Sequence, residues 1–160
     1  MKTLGIDVGT AITGWSVMDF DGNNRSKYKV YEYGAILTDS KMPMPERLRI
    51  IYDELNQIIY KHKPKQMAIE DLFFFKNQKT VIKVGQARGV CIVVGMNNNL
   101  EVFDYTPLQV KQSITGYGRA DKKQMQSMVK TILNLTETPK PDDVADAIAV
   151  AICHLNTARY

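Results

Sequence analysis

The hydrophobic pattern of this chain changes period partway along, and that change restricts the folds open to it. Residues 2–7 (KTLGID), 13–19 (TGWSVMD) and 28–37 (YKVYEYGAIL) read as three strands, joined by turns around Gly9 and Thr10 and at DGNN, 21–24. From Pro45 to His62 the apolar positions Leu48, Ile51, Leu55, Ile58 and Ile59 recur at helical spacing, and Pro64 closes the segment. A short buried strand at 66–70, a helix over most of 77–98 and a strand VFDY at 102–105 follow. Helices are then expected over 106–114, 121–134 and 142–157. A hairpin sheet followed by alternating helices and strands implies an α/β domain with a mixed sheet. With 160 residues and no internal repeat or linker, residues 1–160 read as a single domain with a core of its own.

Composition narrows the setting. Charged residues at 24% and hydrophobic residues at 44% are ordinary for a soluble globular protein, and no apolar run approaches the roughly 20 residues needed to span a bilayer. MKTLGIDVGT moves straight into a strand pattern without the apolar segment of a secretion signal. Cys91 and Cys153 lie in apolar stretches and read as reduced core residues, so a cytoplasmic location is expected. The net charge of +4 points weakly to nucleic acid. If four acids line one pocket, 13 of the 17 remain against 21 Lys and Arg, and the rest of the surface carries about +8.

Four acids stand out by position. Asp7 and Glu70 each end an apolar strand, where side chains project from the sheet edge into a crevice. Asp143 and Asp146 are spaced i, i+3 near the start of the apolar helix VADAIAVAICHL, one turn apart on one face. Each has a plainer explanation. Asp7 would stabilise a turn, and Asp142 or Asp143 would cap the helix, with Asp142 the favoured cap. Asp146 lies beyond the first turn and resists that account. Four converging carboxylates repel unless cations are bound, and two Mg²⁺ ions bring balancing charge. A carboxylate site without a His/Cys cluster selects Mg²⁺ or Mn²⁺ over zinc. Two such ions activate a water and stabilise the leaving oxygen of a phosphoryl displacement. The spacing alone leaves open whether the four acids meet.

The motifs GIDVGTAITGWSV, AIEDLFFFKN, KVGQARGV, TPLQVKQSITGYGRADKKQMQSMV and DDVADAIAVAICH resemble, in order and spacing, the RuvC family of Holliday-junction resolvases. The resemblance implies an RNase H-like fold, a mixed five-stranded sheet flanked by helices on both faces. It implies that Asp7, Glu70, Asp143 and Asp146 are the catalytic, metal-binding carboxylates, holding two Mg²⁺ ions per site with Mn²⁺ as a substitute. It further implies a homodimer that nicks a four-way DNA junction twice in recombination and repair, with a branch-migration motor as a partner in a bacterial host. Two residues depart from the family pattern: Val8 stands where proline is frequent and Asp71 where glutamine is common. Asp71 adds a negative charge beside the site.

Basic and aromatic residues follow the same logic. Lys76, Lys79 and Lys83 form one helix face just after three phenylalanines, and Lys111, Arg119, Lys122 and Lys123 surround a glycine-containing loop. Lysines most often solvate a surface, but beside a phosphodiesterase site they read as contacts to the DNA backbone. By the resemblance, Phe73 stacks on or wedges between bases at the branch point, while Phe74 and Phe75 divide between DNA contact and core. Gly85 and Gly89 permit close approach of another backbone, either the protein's own sheet or a dimer partner. His154 lies about 16 Å along the helix from Asp143 and receives no function. His62 reads as a favourable charge at a helix C-terminus. Three rivals fit less well: actin-like sugar kinases, whose second lobe and second phosphate loop do not fit in 160 residues; RNase H-like nucleases that process RNA precursors, against which KVGQARG and FFFKN argue; and a non-cleaving junction-binding protein, which would lack carboxylates present here.

Overall fold

The computed structural model describes residues 1–21, 27–72 and 77–158. Five strands, β1 (Thr3–Asp7), β2 (Ile12–Phe20), β3 (Tyr28–Leu37), β4 (Gln66–Glu70) and β5 (Glu101–Tyr105), form one sheet in the order β3-β2-β1-β4-β5. The first three pair antiparallel, whereas β4 runs parallel to both β1 and β5. The expected mixed sheet is present. Its helices are α1 (Met44–His62), α2 (Gln78–Asn97), α3 (Pro107–Thr115), α4 (Lys122–Ile132) and α5 (Asp142–Thr157). The expected elements all occur, with ends displaced by a residue or two. The expected turn at 21–24 and the residues Phe73, Phe74, Phe75 and Lys76 fall at least partly outside the described residues.

The side-chain period of two sorts the strands between two cores. Leu4, Ile6, Met67 and Ile69 point to one face and pack with Ile51, Leu55 and Ile59 of α1 and Ala87, Cys91 and Val94 of α2. The alternate face meets α3, α4 and α5 through Met18, Ala68, Tyr105, Val110, Val129 and Ile148. Helices therefore cover both faces. The same alternation puts Thr3, Gly5 and Asp7 of β1, and Gln66, Ala68 and Glu70 of β4, on the α5 side. Both strand-ending acids thus emerge toward one helix.

That helix lies unusually close to the hairpin. A Cβ on Gly14 would fall under 3.0 Å from the backbone of Asp143, and one on Gly5 equally close to the backbone of Ala147 and Ala151. Ser16 donates its hydroxyl hydrogen to the Ala147 carbonyl at 3.1 Å. α5 can approach this closely because it is nearly all Ala, Val and Ile over residues 144–152. Local signals fix the helix starts on this side. Thr106 and Gln109 form a capping box for α3, and Asp121 and Gln124 form another for α4. Gly116 ends α3 with φ of 80°, a conformation that favours glycine. Both cysteines are buried and free. Among the described residues no helix is long and apolar enough to cross a membrane.

The fold revises three expectations. Asp142 makes no capping hydrogen bond, because Pro141 occupies the cap position and Asp142 already lies inside the helix. His62 sits in the last turn of α1 as expected, but its side chain is buried against β3, with Nε2 2.6 Å from Glu32 Oε2. Gly85 and Gly89 do not pack on the sheet: a Cβ on Gly85 would touch only Leu72, and one on Gly89 would meet nothing within 4 Å.

Candidate active site

Three elements carry the four acids to one place. Asp7 ends β1, Glu70 ends β4, and Asp143 and Asp146 occupy the first two turns of α5. All four are half-buried. Glu70 and Asp146 line a cleft of about 260 Å³ with Lys111, Asp121, Lys122 and the apolar side chains of Val110 and Met125. Asp7 lies behind them, near enough to feel Asp146, Glu70 and Asp143.

The electrostatics are those of crowded like charge. Burial, then Asp146, Glu70 and Asp143, pushes the Asp7 carboxyl up to about 8. Burial and Asp146 raise Glu70 to about 7, with Lys111 opposing. Burial raises Asp146 to about 6 against the pull of Lys122, with Asp143 and Asp142 adding to the rise. Burial and neighbouring like charge thus disfavour the ionised forms of Asp7, Glu70 and Asp146 alike. Such a set calls for a cation.

The donor chemistry fits a hard one. Oxygen ligands alone, with neither Cys nor His among the four, suit Mg²⁺ or Mn²⁺. Among the described residues, no three His, Cys, Asp or Glu side chains are already gathered into a set that could hold an ion. The electrostatic coupling of Asp7 to Asp146, Glu70 and Asp143 places the acids in one neighbourhood.

The predicted basic residues divide. Lys79 and Lys83 are exposed on α2, and Arg119 and Lys123 are exposed around the α3–α4 loop. Lys111 is half-buried at the cleft beside Glu70. Lys122 is exposed as well, but its Nζ reaches back to the acids, 3.4 Å from Asp142 Oδ2 and 4.0 Å from Asp146 Oδ2. Its partners in the described structure are therefore acids at the cleft. Phe73, Phe74 and Lys76 lie outside the described residues.

Two features escaped the sequence reading. Asp71 is not an uncompensated charge, because its carboxylate lies 3.6 Å from Arg88 on α2. Arg88 also pairs with Asp104 of β5 and directs its Nε toward the Glu70 carbonyl at 3.5 Å. His154, denied a catalytic role by distance, is fully buried between the Tyr105 hydroxyl at 2.8 Å and Gln66 Oε1 at 3.0 Å. Burial lowers its pKa, so the imidazole is a neutral core residue. Because Gln66 Oε1 only accepts, Nε2 carries the proton and Nδ1 accepts from Tyr105.

A five-stranded β3-β2-β1-β4-β5 sheet with helices on both faces is the arrangement of the RNase H-like fold, a class that includes metal-dependent nucleases. The model of the crossover junction endodeoxyribonuclease RuvC family matches residues 3–154. The chain belongs to the RuvC family of crossover junction endodeoxyribonucleases, metal-dependent enzymes of DNA recombination and repair. A relative so named from Alkaliphilus oremlandii is 57% identical over 160 residues, covering all of this chain and 96% of the relative. The Thermus thermophilus RuvC structure superposes with a TM-score of 0.87 at 32% identity, over 96% of this chain and 93% of that one. The same Thermus thermophilus protein in complex with a Holliday junction substrate matches at 0.85 and 29% identity, over 96% and 92%.

Proposed function

We propose that the chain, acting as a single nuclease domain, resolves four-way DNA junctions by paired nicks, with Asp7, Glu70, Asp143 and Asp146 holding two Mg²⁺ ions. Mn²⁺ substitutes. The observation that carries this reading is the convergence of four carboxylates from β1, β4 and α5, with three of them held well above the usual carboxylate range. When bound, the ions activate a water and stabilise the leaving oxygen of an in-line displacement. The protein's own groups do the rest. Lys111 and Lys122, at the cleft wall, hold the scissile phosphate against the acids, and Lys122 exchanges its carboxylate partners for that phosphate. Lys79, Lys83, Arg119 and Lys123 contact the flanking backbone, a salt-dependent attraction that positions the duplex without reading sequence. Phe73, with Phe74 and Lys76, supplies the branch-point contact on the strength of the resemblance.

Two cuts related by symmetry need two sites, which a C₂ homodimer provides. The outward stripe of α2 supports its placement there. Ile82, Val93 and Met96 are 62%, 51% and 59% exposed, and Gly89 lies between them with open space above it. An apolar stripe around a glycine is a surface that a second copy of the same helix fits closely. The reading places the protein in the cytoplasm with its DNA and, in a bacterial host, beside a branch-migration motor.

The decisive experiment offers a four-way junction, a linear duplex and an RNA hairpin, each with and without Mg²⁺. Junction cleavage in Mg²⁺ alone is expected, and Asp7→Asn, Glu70→Gln, Asp143→Asn and Asp146→Asn each nearly abolish it while junction binding persists. Cleavage confined to the RNA hairpin overturns the reading.

A further inference from the structure

α2 has two sides with different work to do. Its outer stripe faces solvent, while Arg88, on the inner side, reaches the end of β4. The guanidinium meets three groups there. It pairs with Asp104 of β5, stands 3.6 Å from Asp71, and directs Nε–H to the main-chain carbonyl of Glu70 at 3.5 Å. The Arg88 side chain is only 17% exposed, so these contacts operate with limited competition from water. The last β1–β4 pair is Ile6–Ile69, and the next residue is Glu70, whose carbonyl the guanidinium meets. On the other side, the Asp71 N–H donates to the Tyr105 carbonyl at 2.8 Å. The backbone carrying the Glu70 carboxylate is therefore held between β5 and a side chain of α2.

We infer that Arg88 is a positioning residue for Glu70, through which α2 sets the placement of one of the four acids. This rests on the reading that Glu70 is a metal ligand, and it adds a link between the helix face assigned to the dimer and the chemistry. The planar fork is essential to it. One edge satisfies carboxylates while Nε serves the carbonyl, whereas a lysine ammonium supplies charge without a second fixed donor direction. The plainer alternative is that Arg88 only ties α2 to β5.

Arg88→Gln, Arg88→Lys, Asp104→Asn and Glu70→Gln, made in the full chain, separate these accounts. Four readouts are needed: melting temperature, sedimentation, junction affinity in Ca²⁺, and Mn²⁺ affinity by calorimetry, alongside single-turnover cleavage at saturating junction. We expect Arg88→Gln to remain dimeric and to bind junction normally. Its cleavage should fall about ten- to a hundredfold, the scale of a roughly 1 Å misplacement, with severalfold weaker Mn²⁺ binding. Arg88→Lys should recover most of the melting temperature but little of the rate, because charge returns without the fork. Asp104→Asn should lower the melting temperature while leaving the rate within about twofold. The inference fails if Arg88→Gln melts early yet cleaves and binds Mn²⁺ normally, or if Arg88→Lys restores rate and stability together. Should Arg88→Gln not fold, the Lys variant alone decides. Normal cleavage by Glu70→Gln would instead overturn the underlying assignment of Glu70.

Discussion

Replacing Asp7 by Asn should flatten the pH dependence of the metal-free protein's stability. Asp7 has an ordinary value of 3.8 and reaches about 8 in the fold, so between those limits the folded state binds a proton that the unfolded chain has released. The stability associated with that proton is fully present below about pH 4 and is lost as pH rises through about 8. Between about pH 5 and about pH 7.5 the loss from Asp7 alone is about 3 kcal/mol, at ~1.36 kcal/mol for each pH unit. For a chain of 160 residues that is a fall of roughly 6–12 °C in melting temperature. Glu70 and Asp146 add their own slopes up to about 7 and about 6, but they do so in both proteins. The difference between wild type and Asp7→Asn therefore isolates Asp7. Thermal melts in EDTA across this range measure it. Added Mg²⁺ should stabilise wild type more at the upper pH, where the ligands are charged, and the variant less. Parallel pH slopes for the two proteins would show that Asp7 does not carry the repulsion of the cluster.

Further predictions follow from packing. Gly14→Ala should cost more than about 2 kcal/mol, because its Cβ drives the Asp143 backbone aside; cleavage should fall with it. Gly89→Ala should instead hold or raise the stability of the monomer, by up to the roughly 0.5–1 kcal/mol that glycine forfeits in a helix, and melts of the two variants under monomeric conditions check the contrast. Val93→Glu should leave the melt of the monomer intact but halve the sedimenting mass from that of a dimer of 18.1 kDa chains. His154→Phe removes a hydrogen-bond partner from Tyr105 and Gln66 and should cost about 1–3 kcal/mol, yet leave junction cleavage unchanged when assayed well below the melting temperature.

The acids were legible because their signal is local. Alternation along β1 and β4 assigns Asp7 and Glu70 to the same face, and helical spacing joins Asp143 to Asp146. What remained hidden was long-range or depended on which way a flexible side chain turns. Lys122 is spaced like a surface lysine, and only the approach of α4 to α5 brings its Nζ toward Asp142 and Asp146. Glu32 and His62 lie 30 residues apart, and their contact depends on α1 returning across β3. Asp142 was misread because an acid just after a proline resembles a cap, although Pro141 itself held that place. Gly5 and Gly14 drew no attention as isolated strand glycines, since the backbone that needs their emptiness is more than 100 residues away.

That emptiness ranks what this enzyme can replace. The cluster acids carry their charge at the ends of side chains, so a replacement of similar size there leaves the main chain where it is, whatever it does to cleavage. Gly5 and Gly14 have no such freedom, because the space above them is filled by the backbone of α5. A side chain added at either glycine would therefore displace the helix that carries Asp143 and Asp146, although neither glycine is one of the four acids.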